Sequence, residues 1–165
     1  MIIRPERSGD VADVRDLVRA AFAGDQEADL VDGLRSNGDL LLSLVAEEAG
    51  RVIGHIGLSR VWISRDGRRS PGVCLAPLAV TAERRRRGTG AALVEAGHAR
   101  LRAAGESICF VLGDPAYYGR FDYSIPAAAG FDCVYAGAHF QALALTRDAP
   151  TTGAITYAAA FARLK

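Results

Sequence analysis

The fold of this chain is set by one stretch, Leu78-Ala79-Val80-Thr81-Ala82-Glu83-Arg84-Arg85-Arg86-Arg87-Gly88-Thr89-Gly90-Ala91. It ends an apolar, strand-like run that begins at Val73, and its glycines open a helical pattern. A helix N-terminus leaves backbone N–H groups without partners and carries a partial positive charge. Glycines let an anion approach the backbone, and arginines add donors suited to phosphate oxygens. The sequence therefore predicts a phosphate or pyrophosphate site over residues 85–91.

Two familiar phosphate-binding loops do not fit this stretch. A Walker loop requires a Gly-Lys pair, which the chain does not contain. The dinucleotide fingerprint Gly-x-Gly-x-x-Gly fails because Leu93 stands where its third glycine should be. The run Arg85-Arg86-Arg87-Gly88-Thr89-Gly90 instead matches Arg/Gln-x-x-Gly-x-Gly/Ala. With Pro77-Leu78-Ala79-Val80 before it, this run closely resembles the acetyl-CoA loop of the GNAT superfamily of N-acetyltransferases.

The resemblance implies that acetyl-CoA is the co-substrate. It implies that the last strand residues meet the acetyl and pantetheine groups, and that the loop holds the pyrophosphate. The residues expected to bind acetyl-CoA are Leu78, Ala79, Val80, Arg85, Arg86, Arg87, Gly88, Thr89, Gly90 and Ala91. No cluster of His, Cys or carboxylate residues suggests a metal ion.

Composition sets the broad bounds. A chain of 165 residues suits one domain, 1–165, with a substantial core. Twenty Lys and Arg residues against nineteen Asp and Glu give a net charge of +1, so no global field favours nucleic acid or an anionic membrane. No signal peptide and no membrane-spanning apolar run is recognisable, so a soluble cytoplasmic protein is expected. Monomer and homodimer both stay open. Three buried, reduced thiols are expected at Cys74, Cys109 and Cys133.

Hydrophobic patterning predicts an α/β fold with a mixed sheet. A short strand at 1–4 precedes two helices, the first capped by Ser8 or Asp10 and the second running from about Asp25 to Arg35. An antiparallel meander then follows, with strands at 40–46, 51–63 and 73–80. Within its last strand Pro77 predicts a bulge, because a central strand cannot spare an N–H group.

A βαβ unit follows the meander. The clearest helical pattern runs from Gly88 to Ala104, and the apolar run 107–112 is typical of a buried parallel strand. The resemblance adds that the central strands splay apart. The tail predicts strands at about 131–135 and 139–146 and a short apolar end over 155–164. Two histidines, His55 and His139, are expected at half-buried positions in strands. The third, His98, is expected on the outer face of the helix.

The second informative stretch is Leu112-Gly113-Asp114-Pro115-Ala116-Tyr117-Tyr118-Gly119-Arg120-Phe121. Asp followed by Pro after a strand predicts a helix start, with Asp114 as its N-cap. The segment resembles the Leu-Gly-Asp-Pro-x-Tyr-Tyr-x-Arg-Phe signature of the YhbS-type GNAT subgroup. It departs from the family after this helix, where Asp122-Tyr123 replaces the usual Gly-Phe. The sequence therefore does not decide the shape of the local turn or of the substrate wall.

The resemblance implies direct transfer of an acetyl group to an amine, with a peptide or small-molecule acceptor that the sequence does not identify. Tyr118 matches the family's general acid for the departing thiolate. A free N–H near Ala79 or Val80 suits the oxyanion. The base is open between Asp114, Glu27 and a water chain, and each carboxylate has a structural alternative, a helix cap or a solvated helix charge. Glu27 and Tyr117 are expected on the acceptor side.

Two competing functions stay open at this point. A catalytically silent domain that binds CoA or acetyl-CoA is favoured by Asp122-Tyr123 and opposed by Tyr118. A nucleic-acid site at Arg84–Arg87, with three further arginines at 65, 68 and 69, is opposed by the balanced net charge.

Overall fold

The computed structural model describes residues 1–164 and has a mixed α/β fold. Its helices are α1 Val11–Phe22, α2 Gln26–Ser36, α3 Thr89–Ala103, α4 Pro115–Tyr118 and α5 Ile125–Ala128. Its strands are β1 Ile2–Pro5, β2 Leu40–Glu48, β3 Arg51–Arg65, β4 Arg68–Val80, β5 Ile108–Leu112, β6 Phe131–Asp132, β7 Phe140–Ala144 and β8 Gly153–Thr156. The strands form one sheet in the order β1-β2-β3-β4-β5-β7, and β8 pairs with β3 and β6. The predicted meander followed by a βαβ unit is confirmed.

The described chain separates into two compact units. The first contains Met1–Ser59, Pro77–Gly97 and the C-terminal residues from Ala158 onward. The second contains Arg60–Ala76 and His98–Tyr157. The expectation of one functional domain over residues 1–165 stays a prediction.

In the first unit, α1 and α2 pack against strand β2 and the end of strand β4. A cluster of buried side chains joins them, and its members are Val14, Leu17, Val18, Ala28, Val45 and Ala79. The turn between β2 and β3 has left-handed backbone at Ala49 and Gly50, with φ of 51° and 76°. The buried apolar side chains hold both helices against the strands.

The N-terminus of α1 differs from the prediction. Neither Ser8 nor Asp10 caps it, because these residues form a 3₁₀ turn and Asp10 makes no side-chain bond to the helix. The Asp10 carboxylate instead accepts hydrogen bonds from Arg4 Nη1 at 2.7 Å and from the Arg7 backbone N at 2.7 Å. These contacts hold the pKa of Asp10 down at about 2, with the Arg4 hydrogen bond as the main cause.

In the second unit, β5 pairs in parallel with β4 and antiparallel with β7. The parallel pairing extends over three residue pairs, from Val73 with Cys109 to Leu75 with Val111. The β3–β4 hairpin turns at Asp66 and Gly67, whose φ angles of 52° and 72° are typical of an Asp-Gly hairpin turn. The tail strands β6 and β7 are shorter than predicted. Strand β8 was not predicted.

The histidine positions correct the sequence-based expectation. His55 is fully buried rather than half-buried, and its Nε2 lies 2.8 Å from Ser43 Oγ. His139 is exposed and precedes β7. His98 is only 5% exposed, so its predicted place on the outer face of α3 is wrong.

The cysteines are all free thiols. Cys74 and Cys109 are buried as predicted, whereas Cys133 is half-buried. Burial raises the pKa of Cys109 to about 12, which leaves it protonated at neutral pH. No helix within residues 1–164 is long and apolar enough to cross a bilayer.

Candidate active site

The predicted phosphate loop forms a turn between β4 and α3 in the first unit. After Val80 a 3₁₀ turn covers Ala82–Arg84, and α3 begins at Thr89. Gly88 has φ of 81°, a backbone region that favours glycine. No heavy atom lies within 4 Å of the position that a Cβ on Gly88 would occupy. The space beside this backbone is therefore open.

The N–H groups of the turn are available to an anion. The 3₁₀ turn ends with a hydrogen bond from Arg85 N to Ala82 O at 3.4 Å, and the helix opens with Ala92 N donating to Gly88 O at 2.9 Å. Between these bonds, the N–H groups of residues 86–91 donate to no backbone acceptor in the described part of the chain. Such free donors at a helix start bind phosphate oxygens.

The four arginines of the loop differ in whether they contact other residues of the protein. Arg84 forms an ion pair with Glu48, and Arg85 Nε donates to Val80 O at 3.4 Å. Arg86 and Arg87 are exposed and form no ion pair with any residue from 1 to 164. Their guanidinium groups are therefore free to contact a phosphate.

Gly54 of β3 is a residue of this site that the sequence analysis missed. A Cβ at this position would lie 2.9 Å from Leu93 Cδ1 and 3.2 Å from Thr89 Cγ2. The missing side chain lets the first turn of α3 pack closely on the strand, which buries Thr89 to 3% exposure. A glycine inside a strand is the signal for such a close approach.

The second predicted motif surrounds α4 in the second unit. Asp114 caps this helix, since its Oδ1 accepts a hydrogen bond from Ala116 N at 3.0 Å and Pro115 takes the first helical position. The predicted N-cap is confirmed. The Asp114 side chain is exposed, so capping leaves its second carboxylate oxygen accessible to solvent.

Three aromatic rings lie together at the end of α4. The Tyr118 ring meets the Tyr117 ring edge-on at 5.0 Å and the Tyr123 ring edge-on at 5.8 Å. Burial raises the pKa of Tyr118, so its hydroxyl stays protonated at neutral pH. That hydroxyl makes no hydrogen bond to any other residue within the described range. It is therefore a proton donor without a hydrogen-bond partner among residues 1–164.

Gly113 shapes the pocket for the Tyr118 ring. A Cβ on Gly113 would lie 2.6 Å from Tyr118 Cε2, so only glycine leaves room for the ring. The Gly113 backbone is fixed on both sides, by its N donating to His139 O at 3.0 Å and by Gln141 Nε2 donating to its carbonyl at 3.1 Å. Gln141 is only 1% exposed and was not predicted as part of the site.

The departure from the family pattern at Asp122-Tyr123 preserves the turn. Asp122 has φ of 71° and its N donates to Gly119 O at 3.1 Å, as a glycine at this position would. Asp tolerates the left-handed region better than most residues do. The Tyr123 ring is 3% exposed, and its hydroxyl lies 2.8 Å from His98 Nε2.

The remaining predicted residues are in different places. Glu27 is half-buried in the first turn of α2, in the first unit. Tyr117 is half-buried in the second unit, with its ring edge-on to Phe121 at 5.5 Å. Neither residue's role on the acceptor side is tested by these positions, and the oxyanion N–H near Ala79 or Val80 also stays a prediction. No group of three or more His, Cys, Asp or Glu side chains in residues 1–164 is arranged to hold a metal ion.

Comparisons with known proteins identify the family of this chain. Residues 2–125 match the family model described as an acetyltransferase (GNAT) domain. The chain is 37% identical over 162 residues to the N-acetyltransferase YhbS of Escherichia coli K12, covering 95% of this chain and 96% of that protein.

Two crystal structures extend the agreement to three dimensions. That of E. coli YhbS in complex with CoA aligns with a TM-score of 0.91 at 36% identity, covering 99% of this chain and 93% of that one. That of a GNAT family acetyltransferase from Brucella melitensis in complex with acetyl-CoA gives a TM-score of 0.82 at 39% identity, covering 97% of each chain. With most of its length matched both in sequence and in structure, this chain belongs to the GNAT superfamily of N-acetyltransferases, in the group represented by YhbS.

Proposed function

We propose that this acetyltransferase, acting as one domain over residues 1–165, moves the acetyl group of acetyl-CoA directly onto a primary amine. Acetyl-CoA supplies an activated thioester. The amine nitrogen forms a bond to the acetyl carbon as the carbon–sulfur bond breaks. The amine proton goes to a base, and the sulfur takes a proton from an acid. Direct transfer needs no thiol of the protein, which agrees with the raised pKa of Cys109.

The observation that carries the proposal is the open turn between β4 and α3. Six consecutive N–H groups without backbone acceptors, residues 86–91, suit the pyrophosphate of CoA, and Gly88 leaves the approach free of side chains. Arg85, Arg86 and Arg87 add positive charge beside them. Leu78, Ala79 and Val80, at the end of β4, are assigned to the acetyl and pantetheine end of the ligand, because they directly precede the turn.

We assign the acid to Tyr118. Its hydroxyl is protonated and has no hydrogen-bond partner in the described part of the chain, and Gly113 gives its ring a defined position. Tyr117, one residue earlier on the same helix, points about 100° away and is assigned to the acceptor side. Tyr118, and not Tyr117, is then the residue that donates a proton to the leaving sulfur.

The base is assigned to Asp114 or Glu27, acting directly or through water. Asp114 keeps one carboxylate oxygen outside its helix cap, and the Glu27 side chain forms no ion pair or hydrogen bond with the described residues. Asp114→Asn keeps a good N-cap, so a loss of activity would report on the base and not on folding. We expect one of Asp114→Asn and Glu27→Gln to abolish the acidic limb of the pH profile of kcat/KM. If both variants keep the wild-type profile, neither carboxylate is the base and a water chain takes that role.

The test of the proposal is turnover of acetyl-CoA with defined amines: spermidine, kanamycin and an alanine-initiated peptide. We expect release of the CoA thiol that depends on one of them. Tyr118→Phe removes only a hydroxyl, and loss of a general acid costs on the order of 10²–10⁴-fold in rate. Tyr117→Phe is the matched control and should change mainly the KM of the amine.

Two results would contradict the proposal. Tight binding of acetyl-CoA by calorimetry, without thiol release in the presence of any amine, would indicate a binding protein. Full kcat in Tyr118→Phe, with the chemical step rate-limiting, would remove the assigned acid. Thermal melts of both tyrosine variants exclude unfolding as the cause of a loss.

A further inference from the structure

We propose that Tyr123 is a positioning residue for Tyr118, held in place by His98 and Cys109 through its own hydroxyl. The inference rests on the proposed role of Tyr118 as general acid. It assigns a purpose to the hydroxyl that distinguishes Tyr123 from the phenylalanine usual at this place in the family pattern.

The first step is the hold on the Tyr123 hydroxyl. It donates to Cys109 Sγ at 3.1 Å and lies 2.8 Å from His98 Nε2. Because the Tyr123 hydroxyl donates its proton to the Cys109 sulfur, it can only accept a hydrogen bond from His98. The neutral His98 ring therefore carries its proton on Nε2 and donates it to the Tyr123 oxygen. Burial lowers the pKa of His98 to about 4, so the ring is neutral at physiological pH and one tautomer suffices.

The second step is the burial of this chain of groups. His98 is 5% exposed, Tyr123 is 3% exposed and Cys109 is fully buried. A buried polar group without a partner costs about 1–3 kcal/mol, so each of the three resists leaving its partner. The Tyr123 ring consequently has one favoured orientation, fixed from the helix α3 on one side and the strand β5 on the other.

The third step is the contact of Tyr123 with Tyr118. The two rings meet edge-on, 5.8 Å between centroids and 79° between planes. The Tyr123 backbone N also donates to Tyr118 O at 3.4 Å. Gly113 bounds the Tyr118 ring as well, and its backbone is itself fixed by hydrogen bonds. A change in the tilt of Tyr123 therefore moves the ring that carries the proposed acid.

A double-mutant cycle tests the inference, using kcat for the best amine of the panel of spermidine, kanamycin and alanine-initiated peptide. Tyr123→Phe keeps the ring and frees its orientation, and we expect kcat to fall about 10-fold, since small misplacements of reacting groups cost rate. The KM for acetyl-CoA should not change. In a Tyr118→Phe background the same substitution should change kcat less than about 2-fold, because no acid remains to be positioned.

The matched control is Tyr135→Phe, which removes the hydroxyl of a tyrosine whose ring also meets another ring edge-on. It should leave kcat unchanged in both backgrounds. If Tyr123→Phe fails to fold, His98→Leu removes the same hydrogen bond from the other side and replaces it in the cycle.

The possible outcomes separate the inference from the proposal beneath it. An equal loss in both backgrounds would show that Tyr123 affects the rate independently of Tyr118, and no loss in either would show that its hydroxyl is irrelevant to rate; each overturns the inference. Full kcat in Tyr118→Phe alone would instead overturn the assignment of the acid.

Discussion

Replacing Gly113 with alanine should displace the Tyr118 ring and slow the reaction. The new Cβ would lie 2.6 Å from Tyr118 Cε2 and 3.0 Å from Cδ2, whereas ordinary Cβ contacts are 3.4–4 Å. Two hydrogen bonds hold the Gly113 backbone, from its N to His139 O and from Gln141 Nε2 to its O. The ring must therefore move by about 1 Å to restore ordinary contact distances.

The expected magnitudes follow from that displacement. Overpacking of this kind destabilises a protein by about 1–3 kcal/mol. In a protein of this size each kcal/mol lowers Tm by about 2–4 °C. A misplacement of about 1 Å can cost on the order of 10²-fold in rate, so kcat should fall much further than the loss of folded protein explains.

The assay measures kcat at saturating acetyl-CoA with the panel amine, alongside a thermal melt and the calorimetric affinity for CoA. Gly119→Ala is the matched control, since its Cβ would meet no heavy atom within 4 Å and its φ of −58° suits alanine. It should keep both kcat and Tm. A folded Gly113→Ala protein with kcat within twofold of the wild type would refute the argument that this glycine sets the ring position.

Two further predictions concern the ligand loop and the response to pH. Gly88→Val should abolish measurable CoA binding by calorimetry, whereas Gly38→Val, at a similar φ and equally open, should lower Tm by a similar amount and leave CoA affinity unchanged; equal affinity in both would exclude the loop from the site. Burial lowers the pKa of His98 to about 4 and of His55 to about 3, so stability is complete above about pH 6.5 and is lost as the pH falls below it. At pH 5 each histidine should lower the free energy of unfolding by at most about 2 kcal/mol. Histidine-to-glutamine variants should make the melting temperature depend less on pH.

Local chemistry explains what the sequence could predict. The Asp66-Gly67 turn requires two left-handed residues, and both adopt that backbone. Gly105 follows α3 with φ of 79°, as a C-terminal glycine does. The loop before α3 and the cap at Asp114 depend equally on residues within a few positions of each other. Features of this range can be read from one stretch of chain.

Features that depend on distant partners were not predictable in this way. His98 was placed on the outer face of α3 by helical periodicity, but its neighbour Tyr123 is 25 residues away. A polar residue in a helix is normally predicted to face solvent. That prediction fails when a hydroxyl group distant in sequence forms a hydrogen bond with the residue in the core. The strand β8 pairs with β3 and β6, and its four residues carry too little alternation to be recognised alone.

The two residues that depart from the family pattern are accommodated by different physical means. Asp122 needs only a backbone conformation that aspartate tolerates, so its effect is local. Tyr123 needs partners for a buried hydroxyl, and these come from His98 on α3 and Cys109 on β5. A phenylalanine at this position would leave His98 Nε2 facing an apolar ring, at a cost of about 1–3 kcal/mol. The side chains at 98 and 123 are therefore coupled, and the tyrosine is suited to this chain only because the histidine accompanies it.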